Sequence, residues 1–149
     1  FSEVVANRFD AGSNYFASAV LAEFYKDGIQ AHARATTPAL LRKRDLVIRG
    51  LEENLSDICV WSRPVGGLFL WVRMPDDIDM EKLQLISEEK QLFFAPGAAF
   101  HVDRKEVPYL RLAFGHVPDD LIVEGMRVLA ACIAAARTSN AAREFETLF

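Results

Sequence analysis

Near residue 57 the hydrophobic pattern of this chain changes from helical spacing to short apolar runs, and that change limits the folds open to it. Before it, Phe16, Ala19, Val20 and Phe24 recur at helical spacing, so a helix is expected over Tyr15 to Lys26. Asp10-Ala11-Gly12-Ser13-Asn14 reads as the turn that leads in, and Asp27-Gly28 as a C-terminal stop. A second helical stretch runs from about Gln30 to Leu55. Pro38 interrupts it: either Thr37 caps a new helix with Pro38 in its first turn, or the helix kinks there. Leu41, Val47 or Ile48, Leu51 and Leu55 mark the apolar side of the later half. Arg42, Lys43, Arg44 and Arg49 mark a wet side, for which a solvated face is the better reading than an anion site.

Beyond the change, Ile58-Cys59-Val60-Trp61 is a short strand signal, and Arg63-Pro64-Val65-Gly66-Gly67 a turn. Leu68-Phe69-Leu70-Trp71-Val72 is a strand apolar on both faces. Asp79 is placed to cap a helix over Met80 to Lys90. Leu92-Phe93-Phe94 reads as a brief strand entering the Ala95-Pro96-Gly97 turn, followed by a polar loop over His101 to Glu106. Tyr109 to Phe114 alternates, with Leu110, Leu112 and Phe114 on one face and Tyr109, Arg111 and Ala113 on the other. Pro118 opens a last helix, with Asp119, Asp120 and Glu124 near its positive end. Leu121, Gly125, Val128, Leu129, Cys132 and Ile133 mark its apolar stripe, and Thr138 to Phe149 reads as a further short helix. The order favours an α+β sandwich, a small mixed or antiparallel sheet of about three to four strands with helices packed on one side.

Length and charge exclude some functions. At 149 residues the chain is long enough for one domain with a core and too short for two ordinary ones. A net charge of −4 argues against a nucleic-acid footprint, which needs a clustered basic surface. No apolar run is long enough to cross a bilayer, and no basic segment before an apolar stretch marks a signal peptide. The missing initiator Met leads us to expect that the chain begins within a longer protein. Cys59 and Cys132 are far apart in apolar patterns, so two buried, reduced thiols in a cytoplasmic protein are expected. His32, His101 and His116 stand at no ligand spacing, so no metal site is expected.

The residues offer no Gly-rich phosphate loop and no recognisable triad. Asp76-Asp77 and Asp119-Asp120 lie where turns and helix starts favour acids. Two features remain. Arg111 is a lone cation within an apolar strand, and its guanidinium must face solvent, pair with an acid, or wait for a ligand carboxylate. From the residues alone, the solvent-facing or ion-paired reading is favoured. Gly66-Gly67 precedes a strand of large apolar residues; a hairpin turn explains it, and glycines also let a backbone approach a ligand closely.

Three segments read together carry a resemblance: Arg63 to Val72, Leu92 to Phe100, and Tyr109 to Phe114. With Ile122-Val123-Glu124-Gly125-Met126 and Leu129 as a closing helix, they resemble, in order and spacing, the C-terminal small domain of class I/II (fold-type I) pyridoxal-phosphate (PLP) aminotransferases. The nearest branch is that of the 2-aminoadipate and multisubstrate aminotransferases and the MocR-type regulators. The resemblance implies that Arg111 grips the α-carboxylate of an amino-acid or 2-oxo-acid substrate, as a planar, permanently charged fork suits. It also implies that Gly66 and Gly67 sit beside the substrate pocket. Residues 1–28 would be the connecting segment and helix that follow an absent large PLP-binding domain, and residues 29–149 the small domain.

The cofactor would be pyridoxal 5'-phosphate, with none attached covalently to this segment. The family's Schiff-base lysine lies in a Ser/Thr-rich motif, and Lys26, Lys43, Lys82, Lys90 and Lys105 have none. That lysine is expected upstream of Phe1, so the segment alone should be inactive. A homodimer is implied for the full-length protein. The same resemblance leaves open an effector-sensing domain of a MocR-type regulator, and a stand-alone binding domain is the reading without it. Phe69, Trp71 and Phe94 are expected to fill the core.

Overall fold

The computed structural model describes residues 14–101 and 107–137, which fall into two compact units that divide after Pro38. The expected turn at Asp10–Ser13, the loop over residues 102–106 with Lys105, and the tail from Thr138 lie outside the described residues.

In the first unit, helix α1 spans Tyr15–Asp27 and is capped by Asn14, whose Oδ1 accepts from the Ala17 N–H at 3.0 Å. Gly28 does not end it in a left-handed turn: its φ is −93°, and a new helix begins at Ile29. Glycine is required there by a close approach, since an added Cβ would stand 2.6 Å from Cε2 of Phe24. The apolar side chains of α1 are exposed, Phe16 at 78%.

Helix α2 spans Ile29–Leu55 with Pro38 inside it. Of the two expected arrangements, the new helix capped by Thr37 is therefore absent, and the chain runs through the proline. Pro38 removes one backbone donor, so the Arg34 carbonyl has no i+4 N–H to accept from. In the second unit, Val47, Gly50, Leu51 and Leu55 of α2 are buried.

The sheet has four strands: β1 (Val60–Trp61), β2 (Phe69–Arg73), β3 (Ala95–Pro96) and β4 (Tyr109–Ala113). Their order is β1-β2-β4-β3 and every pairing is antiparallel. The expected strand at Leu92–Phe94 is displaced: those residues form no strand, and the pairing falls on Ala95 and Pro96. A turn at Gln91, in the left-handed region at φ 57°, re-aims the chain after helix α3 (Met80–Glu89), so the ladder begins later than the aromatic run. A 3-10 turn over Gly97–Phe100 follows β3. Asp79 caps α3 as its spacing predicts, accepting from the Lys82 N–H at 2.9 Å.

Side-chain alternation gives the sheet two unlike faces. Leu70, Val72, Leu110 and Leu112 point into one core with Leu51 and Leu55 of α2, Leu83 of α3 and the buried side of helix α4 (Asp119–Ala136). Each such fully buried side chain stabilises by about 1.5–3 kcal/mol. The helices thus cover one face, giving the expected α+β layering. Of the expected stripe of α4, Leu129, Cys132 and Ile133 are buried, while in its first turns Ile122 and Met126 are buried and Leu121 is exposed. Met126 takes the space that a side chain at Gly50 would occupy. No helix among the described residues is long and apolar enough to cross a membrane.

Candidate functional site

The other face of the sheet carries Phe69, Trp71 and Arg73 from β2 and Tyr109, Arg111 and Ala113 from β4. Arg111 sits at its middle, opposite Trp71 on one side and Ala95 on the other. Ala95 presents only a methyl group, which leaves room over the guanidinium.

Two aromatic rings take that room. Cζ of Arg111 lies 4.0 Å from the ring centre of Phe69 and 4.1 Å from that of Phe100. Phe100 ends the 3-10 turn after β3, and its ring meets Trp71 edge-on at 5.3 Å and 84°. Cation–π contacts of this kind contribute about 0.5–2 kcal/mol each, more where water is excluded. The expectation that Phe69 and Trp71 fill the core is therefore corrected. Phe69 is 44% exposed and Trp71 half-buried, both on the face opposite the core, because the strand's alternation places Leu70 and Val72 inward instead. Phe94 does pack against the core.

Among the described residues, no carboxylate or carbonyl accepts from Arg111. Its Nε is buried without a hydrogen-bond partner, which is costly for a donor on a charged group. Of the three possibilities open to this arginine, the ion pair is absent among the described residues and full exposure is absent as well. The structure leaves a half-buried cation, framed by two rings, with an unmet capacity to donate.

Gly66 and Gly67 lie in the loop that joins β1 to β2, so they form part of a hairpin connection. Gly67 has φ +91°, a conformation that L side chains rarely adopt. No atom lies within 4 Å of a Cβ built on either glycine, so this backbone stands open. Ser62 closes the base of the loop, with its N–H donating to the Trp71 carbonyl and its Oγ accepting from the Trp71 N–H. Arg44 ties the loop to α2 by donating to the Pro64 carbonyl at 3.2 Å.

The basic cluster on α2 is in part structural, against the solvated reading. Lys43 donates to the Val117 carbonyl and pairs with Asp119 at 3.3 Å, and Arg42 pairs with the same carboxylate at 2.7 Å. The Lys43 side chain is only 16% exposed and that of Arg44 21%. Asp119 needs both partners at the start of α4, and the Arg42 bond first of all holds its carboxyl below the usual carboxylate range. Arg44 also lines a surface cleft with Arg49, Glu52 and Arg63, in which Arg63 is itself paired with Glu52.

Sequence reasoning singled out Arg111 and the two glycines and missed Phe100. The latter stands at the end of Gly97-Ala98-Ala99-Phe100, and nothing local connects it to a strand residue eleven positions on. The structure brings Arg111, Phe69, Phe100 and Trp71 together. No atom of this cluster lies within 4 Å of a Cβ built on Gly66 or Gly67.

Lys26 pairs with Glu23, Lys43 is held by Val117 and Asp119, and Lys82 and Lys90 are exposed at the two ends of α3 on the helical side.

No family model matches the chain. It is 29% identical over 132 residues to aromatic-amino-acid aminotransferase 1 of Thermococcus litoralis, covering 88% of this chain and 32% of that protein. It superposes on the kynurenine aminotransferase of Pyrococcus horikoshii with a TM-score of 0.77 and 30% identity, covering 92% of this chain and 34% of the other. It is also 26% identical over 125 residues to the HTH-type transcriptional regulator YdfD of Bacillus subtilis, covering 83% of this chain and 26% of the regulator. The chain thus spans about a third or less of the length of these relatives.

Proposed function

We propose that this chain, whose sequence relatives and structural neighbours include fold-type I aminotransferases, is the small domain of such an enzyme and holds the carboxylate of its substrate at Arg111. The observation that supports it is the state of Arg111 itself, a half-buried guanidinium with a buried, unpartnered Nε on the face of the sheet opposite the core. A carboxylate is the ligand that meets two in-plane donors at once, and a permanently charged guanidinium binds it equally well in an amino acid and in the derived 2-oxo acid. Gly66 and Gly67 would lend open backbone beside the substrate.

The cofactor would be pyridoxal phosphate, which when bound serves as the electron sink and amino carrier of the reaction. The described residues do not fit the lysine that holds it, so no step through the cofactor is assigned to them, and the larger protein would supply that lysine. In this reading residues 29–149 are the C-terminal small domain and residues 1–28 the segment arriving from the large domain. The full-length protein would be a cytoplasmic homodimer that passes an amino group from an amino acid to a 2-oxo acid.

The test is steady-state transamination by the full-length protein. Arg111→Ala is expected to raise KM and to lower kcat/KM by the equivalent of about 2–3 kcal/mol. An unchanged kcat/KM would rule out the role of Arg111. A second reading, an effector-sensing domain of a MocR-type regulator, is favoured by the similarity to YdfD. It predicts that the same Arg111-dependent binding occurs in the full-length protein without turnover and that a DNA-binding segment precedes the domain.

A further inference from the structure

We infer that Phe69 and Phe100 are positioning residues that hold the Arg111 guanidinium ready for a carboxylate, with Trp71 bracing Phe100; this rests on the carboxylate reading of Arg111.

An arginine side chain has several rotatable bonds, and binding a ligand through it costs ordering entropy unless something orders it beforehand. An acidic partner would order it but would also occupy the donors that the ligand needs. Two aromatic rings avoid that competition. A ring quadrupole attracts the cation through the ring face and accepts none of the in-plane N–H bonds. With Cζ at 4.0 and 4.1 Å from the two ring centres, the rings hold the cation while its N–H groups stay unspent. The buried Nε shows that this packing also removes water from part of the guanidinium, which strengthens its attraction for an incoming anion.

The three aromatic residues come from places that fix one another. Phe69 and Trp71 lie two residues apart on β2, on the face of Arg111, and Trp71 is directly opposite Arg111 across the β2–β4 pairing. Phe100 comes from the 3-10 turn after β3, which pairs with β4 on its other side. The edge-on contact of Trp71 with Phe100 joins the two flanks of the strand over Arg111. Gly97 makes this approach of the turn possible, since a Cβ there would stand 2.8 Å from the Tyr109 carbonyl.

The experiment is a calorimetric titration of the full-length protein with 3-phenylpropionate, a carboxylate that carries no amino group. Phe100→Leu and, separately, Phe69→Leu are expected to weaken its binding about five- to thirty-fold, the span of one desolvated cation–π contact with its ordering cost. Phe100→Tyr, which keeps the ring, is expected to restore near-wild-type affinity. In an Arg111→Ala background, where little binding remains, Phe100→Leu should have no further effect on it. A merely structural role would leave the restoration by Tyr and this dependence on Arg111 unexplained. The proposal is overturned if Arg111→Ala weakens binding while both leucine variants bind like the wild type, or if Leu and Tyr at position 100 weaken it equally. Affinity that Arg111→Ala leaves unchanged, or no binding by the wild type, would instead overturn the carboxylate reading itself.

Discussion

Gly50 and Gly125 lie on two of the helices that pack over the sheet, and the same substitution should have opposite effects at them. Alanine in place of glycine within a helix gains about 1 kcal/mol from backbone propensity alone. At Gly50 the new Cβ would stand 2.5 Å from Cγ and 2.6 Å from Cβ of Met126. Non-bonded carbons rest about 3.5–4.0 Å apart, so roughly 1 Å must be found between α2 and α4. The Cβ of Met126 is fixed to its backbone and cannot swing away, and Met126, Leu51 and Leu129 all belong to the buried core. Overpacking of this kind costs about 1–3 kcal/mol, and here the upper part of that range applies. After the propensity gain, Gly50→Ala should destabilise by about 1–2 kcal/mol, which lowers Tm by about 3–8 °C for a domain of this size. At Gly125 the nearest atom is Cδ1 of Leu92 at 3.7 Å, an ordinary contact. Gly125→Ala therefore keeps most of the gain and should raise Tm by a few degrees. Thermal unfolding followed by tryptophan fluorescence reads this unit, because Trp61 and Trp71 lie on β1 and β2. Shifts of the same sign at both positions would refute the close approach of α2 to α4 at Gly50.

The hairpin loop and the buried thiol offer two more tests. Gly67→Ala should cost about 1–2 kcal/mol because its φ of +91° is strained for any L side chain, whereas Gly66→Ala should change stability by less than about 0.5 kcal/mol; urea unfolding of the two variants compares them. Burial pushes the Cys59 thiol up to about 11, so it should resist a thiol reagent at pH 8 in the native protein and react once unfolded. The same shift makes the folded state keep a proton that the unfolded chain releases near pH 8.5. Its contribution is complete below that pH and is lost as pH rises toward about 11, a loss that Cys59→Ala should lack in urea titrations at pH 7 and 10.

What could be read from the sequence follows how far each cause lies along the chain. The two long strands were legible from adjacent residues, β4 because Leu110 and Leu112 alternate with unlike neighbours, and β2 because Leu68 to Val72 is an apolar run that begins at a Gly-Gly turn. The cap at Asp79 was legible for the same reason. The later half of the buried stripe of α4, Leu129, Cys132 and Ile133, was legible, whereas the burial of Met126 was not, because it fills the space left by a missing side chain at Gly50, which no local period encodes. The strand expected at Leu92–Phe94 formed at Ala95–Pro96 because its partner, β4, sets the register. At Gly28 the composition suggested a left-handed stop, while the actual constraint is the ring of Phe24 lying against it.

The site follows the same rule, with a consequence for how such sites are found. Arg111 was conspicuous because a cation in an apolar strand violates a local expectation. Its surroundings violate none. Phe69 and Trp71 look like core residues until the strand's partner fixes which face points inward, and Phe100 looks like the end of a loop until pairing of β3 with β4 brings it over Arg111. A charge that finds no acid usually marks either a surface or a binding site, and the two differ in what covers it. Solvent would leave Nε hydrated; here Nε is buried and the cation lies against two rings. That combination keeps the guanidinium's donors unspent while limiting its motion, the condition under which a binding group loses least on meeting its ligand.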